Sequence, residues 1–596
     1  MKIKSIGSLL FLSLMLVACQ TTDRTVIKEN ANQQLFDLVN EYSSASLEFN
    51  PVRATFIGVD GYNDKFSPVI SQENRAKSLA FHKKYLHKAQ SIDSNTLTGQ
   101  ALLTYKIFVR DREMAIEGSQ FPFHQLPINQ MSGVHNFYAQ LGSGQSAQPF
   151  ANEEDYRNFI KRSQGFAAWM DSAVTAMKNG IKSGVVQPKA IIEKVIPQLK
   201  AHLVEDITDS VFYGPLNQLP ENIAEDNRAR LVADYEAAIR DIIIPAYRRM
   251  YDFMQTDYLA AGRDNVGLAA LPQGKAWYEY LIKTHTTLDL TAEEIHQFGQ
   301  QEVARILSEM KQVKTQVGFQ GGLPAFFEFL RTDDQFYFDK EDDLIKAYTD
   351  IKTKIENRLP QLFDVFPKAP YEVRPVPKFR AASAAGASYQ GPAPDGSRPG
   401  IFFINTHNLK SQPKFLMETL SIHEAAPGHH FQIAIQQEVK DLPTYRKFGG
   451  YTVFAEGWAL YAESLGKELG LFTDPYMWYG RLVDEQLRAM RLVVDTGLHS
   501  KGWTREQAID FMLANSSMAR SDVEAEVERY IVIAGQAVAY KTGERKIREL
   551  RQFAANELGA NFDIKKFHTQ VLIDGSLPMP VLEEKIKNWV NSQKRS

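Results

Sequence analysis

The stretch Ser421-Ile422-His423-Glu424-Ala425-Ala426-Pro427-Gly428-His429-His430-Phe431-Gln432 holds three of the chain's 13 histidines. Imidazoles gathered beside a carboxylate are metal-site chemistry. The zinc-binding spacing H-E-x-x-H sets two histidines one turn apart on a helix, with the glutamate next to them as a base. Residue 427 is Pro, so that spacing is absent, and Pro427 and Gly428 stand as an insertion before the second histidine. On an unbroken helix His429 would lie about 240° round from His423, on the wrong side. His430 returns to the right face but roughly 10 Å further along the axis. Both nitrogens must come within about 2.1 Å of one zinc, so neither position works on a regular helix. Pro427 lacks an N–H and Gly428 admits unusual backbone angles. A bulge there would absorb two residues and bring His429 into place, with His430 as the alternative ligand.

A catalytic zinc keeps three protein ligands and one open position for water, so a third donor is required. Glu456, in Phe454-Ala455-Glu456-Gly457-Trp458-Ala459, supplies it, and Glu463 two turns on is the reserve. Glu456-Gly457-Trp458-Ala459 resembles the third-ligand helix of the gluzincins, and Gly449-Gly450 provides the break before it. The expectation is one zinc per chain on His423, His429 and Glu456. Glu424 would act as general base for water attacking a peptide or amide carbonyl, then return the proton to the leaving amine.

Arg491, Asp495 and His499 fall at steps of four and share one helix face. Such a stripe sets a carboxylate behind a metal histidine, or aims His499 at a substrate oxyanion, or else forms an intrahelical ladder of charges. Tyr530 and Tyr540 are candidates for the phenol that stabilises the oxyanion. Arg529 is either a contact for a substrate carboxylate or half of an ion pair.

The elements that must position these residues read as mainly helical from Gln34 onward. Apolar residues recur at three and four, as in Leu35, Leu38, Val39, Tyr42 and in Leu231, Tyr235, Ala238, Ile242. Helical stretches are predicted over about 156–204, interrupted at Pro188 and Pro197, and over about 226–256, kinked at Pro245. A further helix over about 292–317 opens on the capping pattern Thr291-Ala292-Glu293-Glu294. Between 369 and 407 the pattern changes. Tyr371 to Pro377 reads as extended, 381–400 as a Gly/Ala/Ser/Pro-rich loop, and Ile401 to Thr406 as a strand. A small sheet ahead of the metal helix either takes a substrate main chain by strand addition or simply covers the core.

Composition is that of a globular protein, with 23% charged residues and a net charge of -3. That charge and the absence of a basic face argue against a nucleic-acid partner. Lys2 and Lys4 precede an apolar run, Ile6 to Ala18, too short to span a bilayer comfortably, and together they read as a secretory signal. The run ends at Cys19, the only cysteine, so no disulfide within the chain is possible. Leu16-Val17-Ala18-Cys19 resembles the lipobox of bacterial lipoproteins. That resemblance implies a signal peptide over 1–18, an acylated Cys19 and a tether over 19–33. Gln20, rather than Asp, implies an anchor in the outer membrane that faces the periplasm.

The His-Glu-x-x-Pro-Gly-His-His block is similar to the signature of the bacterial family of domain of unknown function 885. The likeness extends over nearly all of the mature chain. It includes Pro51-Val52-Arg53-Ala54-Thr55, the Glu456 motif, Arg491 to His499, Glu528-Arg529-Tyr530 and Gly535 to Tyr540. Through the family's likeness to gluzincins, it implies one catalytic region over 34–596, a two-lobed helical shell around a deep channel with a small β-sheet near the metal helix. The function expected is a periplasm-facing lipoprotein metallopeptidase acting on peptides. The alternative is a lipoprotein that binds metal or peptides, or acts as a scaffold, without turnover. The sequence does not set the oligomeric state.

Overall fold

A computed structural model describes residues 30–67, 70–381, 384–393, 396–440 and 442–595. The signal segment, Cys19 and the tether as far as residue 29 lie outside the described residues. The last tether positions do not extend it: residues 30–33 already belong to a helix over 30–46, and Asn32 bonds the Thr98 hydroxyl at 3.0 Å. Among the described residues no helix is long and apolar enough to cross a membrane.

The protein is mainly helical, with one three-stranded sheet among the described residues. In the first half, Glu153–Ser183 and a helical run over 225–261 share an apolar core that includes Phe166, Trp169, Tyr235 and Tyr247. The run passes through two π-turns, Ile239–Ile243 and Met254–Tyr258. The first shifts the helical phase, so Ile243 is buried where periodicity pointed to Ile242, and Pro245 sits just beyond it. Pro188 precedes the helix Lys189–Lys200, but Pro197 stays inside its last turn and does not end it.

The second half carries the site. Helix α1 (Ala292–Gln316) opens on the predicted capping box of Thr291 and Glu294. It is followed by α2 (Glu341–Glu356), β1 (Tyr371–Pro375), β2 (Ala387–Gln390) and β3 (Gly400–Ile404). The strand order is β1-β3-β2, with β1 parallel and β2 antiparallel to β3. Strand β2 lies in the stretch expected to be loop: Ala387-Ser388-Tyr389-Gln390 is too polar to announce a strand, and pairing with buried β3 orders it. Beyond the sheet come α3 (Met417–Leu420, running into a π-turn Ser421–Ala425), α4 (His429–Glu438) and α5 (Thr452–Glu463). The chain closes around them with α6 (Pro475–Ser500), α7 (Arg520–Val532) and α8 (Ala539–Leu558).

Helices α5 and α8 cross at a pair of glycines. A Cβ on Gly457 would lie 2.5 Å from the Gly543 backbone, so the approach requires both to be bare. That contact sets α5 deep in a core with Ile422, Ala425, Trp458 and Tyr461. The turns of α3 and α5 that carry His423 and Glu456 are thus held by packing on rigid elements.

Candidate metal centre

The break after His423 takes the form the sequence predicted. The π-turn ends at Ala425, the Ala426–Pro427 peptide is cis, and a new helix starts at His429. Gly428 closes the step by donating its N–H to the Ile422 carbonyl at 2.9 Å. A Cβ at Gly428 would fall 2.0 Å from the His423 carbonyl oxygen, so no other residue fits. Trp458 of α5 donates its indole N–H to the Pro427 carbonyl at 2.8 Å and ties the step to the helix that carries Glu456.

His423 and His429 consequently face each other, with ring centroids 4.8 Å apart. The Glu456 Oε2 lies 3.6 Å from His423 Nε2 and 3.7 Å from His429 Nε2. Donors held 2.0–2.1 Å from a tetrahedral zinc would be about 3.3–3.4 Å apart, so Glu456 stands within a few tenths of an ångström of that spacing from each imidazole. They form one of two groups of potential metal donors among the described residues.

The second group explains the first. Glu463 is fully buried and takes the His423 Nδ1 at 2.7 Å, which leaves Nε2 turned to His429 and Glu456. Glu463 thus stands behind His423, on the other nitrogen from Glu456. Asp484 of α6 approaches the same pair, and Arg488, one turn on, pairs with Asp484. Burial opposes charge on His423, but Glu456 and Glu463 on its two nitrogens outweigh it and hold its pKa well above the usual value. Burial also opposes charge on Glu456, yet the two imidazoles and Arg488 bring its carboxyl down to about 2. Glu463 is pushed up by burial and by Asp484, against the pull of His423. His429 is lowered by burial. Carboxylates facing both nitrogens of one imidazole favour positive charge at this point, which a divalent cation supplies as well as a proton does. The donor set fits zinc: two imidazoles, one carboxylate, and a buried carboxylate orienting the first ligand.

Glu424 lies beside the cluster, close enough to act electrostatically on His429. It is partly exposed, and its carboxylate makes no hydrogen bond or ion pair with any described residue. His430 turns away, its Nδ1 bonded to the Tyr389 hydroxyl of β2 at 2.8 Å. Burial brings its pKa down to about 4.

The remaining candidates divide. His499 is not brought to the cluster. Its Nδ1 accepts from the Leu268 N–H at 3.1 Å and its Nε2 meets the Tyr530 carbonyl at 2.9 Å. It is also fifteen residues along α6 from Asp484, or about 22 Å of helix. Asp495 accepts from the Tyr278 hydroxyl at 2.5 Å and from the Gly535 N–H at 3.1 Å. Arg491 pairs with Glu526 at 2.9 Å. The predicted stripe exists, but it joins helices and neither backs a ligand nor faces the metal donors. Tyr530 is held by the same network, donating to Glu526 at 2.5 Å and accepting from Arg491 at 3.1 Å. Tyr540 packs against Arg491 and accepts from Arg529 at 3.3 Å, and it acts electrostatically on Arg488 beside the site. Arg529 meets Glu526 at 3.4 Å, as an ion pair.

Asp484 and Arg488 were not singled out in the sequence. Their spacing of four, one turn ahead of Arg491, was the available signal.

The crystal structure of a candidate lipoprotein from Colwellia psychrerythraea superposes with a TM-score of 0.85 at 29% identity. The match covers 94% of this chain and 99% of that one. A candidate lipoprotein of unknown function from Shewanella oneidensis matches at 0.73 and 19% identity, over 92% of this chain and 98% of its own, a likeness of fold. No curated protein matches the chain. The sequence profile of one family spans residues 51–586, and the chain accordingly belongs to DUF885, the bacterial proteins of unknown function 885.

Proposed function

We propose that the chain is a zinc-dependent hydrolase of peptide bonds, built on a gluzincin-like helical shell and anchored by a lipid on Cys19 to a periplasm-facing membrane. The observation that carries the reading is the convergence of His423, His429 and Glu456, with Glu463 fixing the tautomer of His423. When bound there, zinc would supply Lewis acidity to a water and to a substrate carbonyl. The chain's own residues supply the rest. Glu424, free of other partners, takes the proton of the attacking water as its oxygen bonds to the carbonyl carbon. As the C–N bond breaks, Glu424 passes that proton to the departing nitrogen. Arg488, which acts electrostatically on His423, His429 and Glu456, would stabilise negative charge on the carbonyl oxygen. Strand β2, with one edge on β3 and close to the Ser421–Ala425 turn, offers its other edge to a substrate main chain.

The lipobox motif supports the anchor, as do the two structural relatives described as candidate lipoproteins. Mass spectrometry of the mature amino terminus, finding acylated or unmodified Cys19, decides it.

The test of the chemistry is Glu424→Gln. Gln preserves size but cannot accept the proton, so turnover should fall on the order of 10²–10⁴-fold while zinc content and fold are kept. Zinc retained with an unchanged rate removes Glu424 as the base. Wild-type protein that holds zinc and cleaves no member of a broad peptide library removes the hydrolase reading.

A further inference from the structure

A cavity of about 880 Å³ lies against the first turn of α5, the helix that carries Glu456. Its wall includes Thr452, one turn ahead of Glu456 on the same face of α5, or about 6 Å along the axis. The charged residues on the wall are Arg53, Arg110, Arg112 and Asp111, three cations against one anion. His82 and His285 also line it, and burial brings both down to about 4, so they add no charge at neutral pH.

The single acid is already engaged. Asp111 accepts from the Tyr451 hydroxyl at 2.8 Å and from Tyr445, and meets Arg110 at 3.4 Å. Arg110 also donates to the Lys283 carbonyl at 3.1 Å. Arg112 is different. It is 6% exposed, lies over the Tyr42 ring at 4.0 Å, and has two guanidinium nitrogens without a hydrogen-bond partner. No described carboxylate lies within ion-pair distance of it. Burying a guanidinium without a counter-ion is unfavourable, and aromatic stacking offsets only part of that cost. Arg53 stands on the same wall with no ion pair to any described residue.

We infer that this cavity takes the C-terminal carboxylate of a peptide, held by Arg112 and Arg53. A guanidinium matches a carboxylate in shape and charge, and Arg112 is fixed before the ligand arrives. The inference rests on the hydrolase reading and narrows it: the substrate is a peptide with a free C-terminus, cleaved near that end.

The test compares one short N-acetylated peptide as free acid and as C-terminal amide. Binding is measured by calorimetry on the full zinc-loaded chain in the Glu424→Gln background, where the ligand persists. The acid should bind at least tenfold more tightly than the amide. Arg112→Gln and Arg53→Gln should each weaken the acid roughly 10–100-fold and leave the amide unchanged. Arg53 is exposed, so Arg53→Gln decides the matter even if Arg112→Gln fails to fold. Equal binding of acid and amide, binding of neither, or an acid/amide ratio untouched in Arg53→Gln overturns the subsite. Wild-type hydrolysis of both forms at equal kcat/KM overturns it too, while leaving the hydrolase intact. Selective binding of the acid by a protein that cleaves nothing overturns the hydrolase and leaves the subsite.

Discussion

Two buried polar clusters share helix α6 and differ in one respect. Around Arg491, Asp495 and His499, hydrogen bonds run to Tyr278, Leu268, Glu526, Tyr530 and Gly535, and both nitrogens of His499 are taken. Around His423, the Nε2 atoms of two histidines each face one Glu456 oxygen, at 3.6 and 3.7 Å and beyond hydrogen-bond length. Both clusters carry the residue types of catalysis. The first spends them on joining helices, whereas the second holds its lone pairs toward a common point. Closure of the hydrogen bonds at His499 and Asp495, where one Arg491 nitrogen alone stays without a partner, separates a structural network from a site more than residue type does.

The sharpest way to break this distinction is to remove donors from the open cluster. His423→Ala, His429→Ala and Glu456→Ala should each reduce bound zinc from about one per chain to none, as read by metal analysis after dialysis. A Glu456 variant that keeps full zinc would mean that the convergence is accidental.

The closed cluster should respond in stability and not in metal. Burial raises the Asp495 carboxyl to about 7 from 3.8, against the hydrogen bonds from Tyr278 and Gly535. The folded state therefore keeps its proton where the unfolded chain has lost it, and the contribution present at low pH is lost as pH rises from about 4 to about 7. At about 1.4 kcal/mol per unit, the loss between pH 5 and pH 8 is about 3 kcal/mol. Asp495→Asn should flatten that slope in urea unfolding while zinc content stays the same. Loss of zinc in this variant would join the two clusters into one.

The sequence carried the break itself, because Pro427-Gly428 announces it, and helix geometry puts His429 first and His430 second among the histidines a bulge would deliver. It carried the capping box and the helix of Arg491 for the same local reason. It did not carry β2, whose order comes from β3, nor the fate of His499, whose partners Leu268 and Tyr530 are distant in the chain. Glu463 lies between. Seven residues after Glu456 it returns to the same face of α5, but which of the two meets the metal depends on where α3 crosses.

Glu463 accordingly makes a graded test. It accepts from the His423 Nδ1 and orients the imidazole, so Glu463→Gln keeps a hydrogen bond but loses the charge. Outer partners of this kind are worth about 10–100-fold in metal affinity. Competition with a chelator should show a drop in that range with stoichiometry intact. Complete loss of zinc would make Glu463 itself a ligand, and no change would make the buried carboxylate incidental.

The smallest effect is expected one residue from a ligand. His429 and His430 are neighbours of identical chemistry, and on sequence either is available to the metal. The step at Gly428 starts α4 at His429, so consecutive side chains diverge by about 100°. His429 therefore faces Glu456, while His430 faces the sheet and bonds Tyr389. His430→Gln should leave zinc stoichiometry and affinity unchanged, and should cost only about 1 kcal/mol of stability for the altered Tyr389 contact. The paired measurement is chelator competition on His429→Gln and His430→Gln. If both lose zinc, the Ser421–Ala425 turn responds as a unit and the contrast cannot be assigned to single side chains. If only His430→Gln loses it, the step at Gly428 delivers the other histidine, and the strand-side contact with Tyr389 would have to break on metal binding.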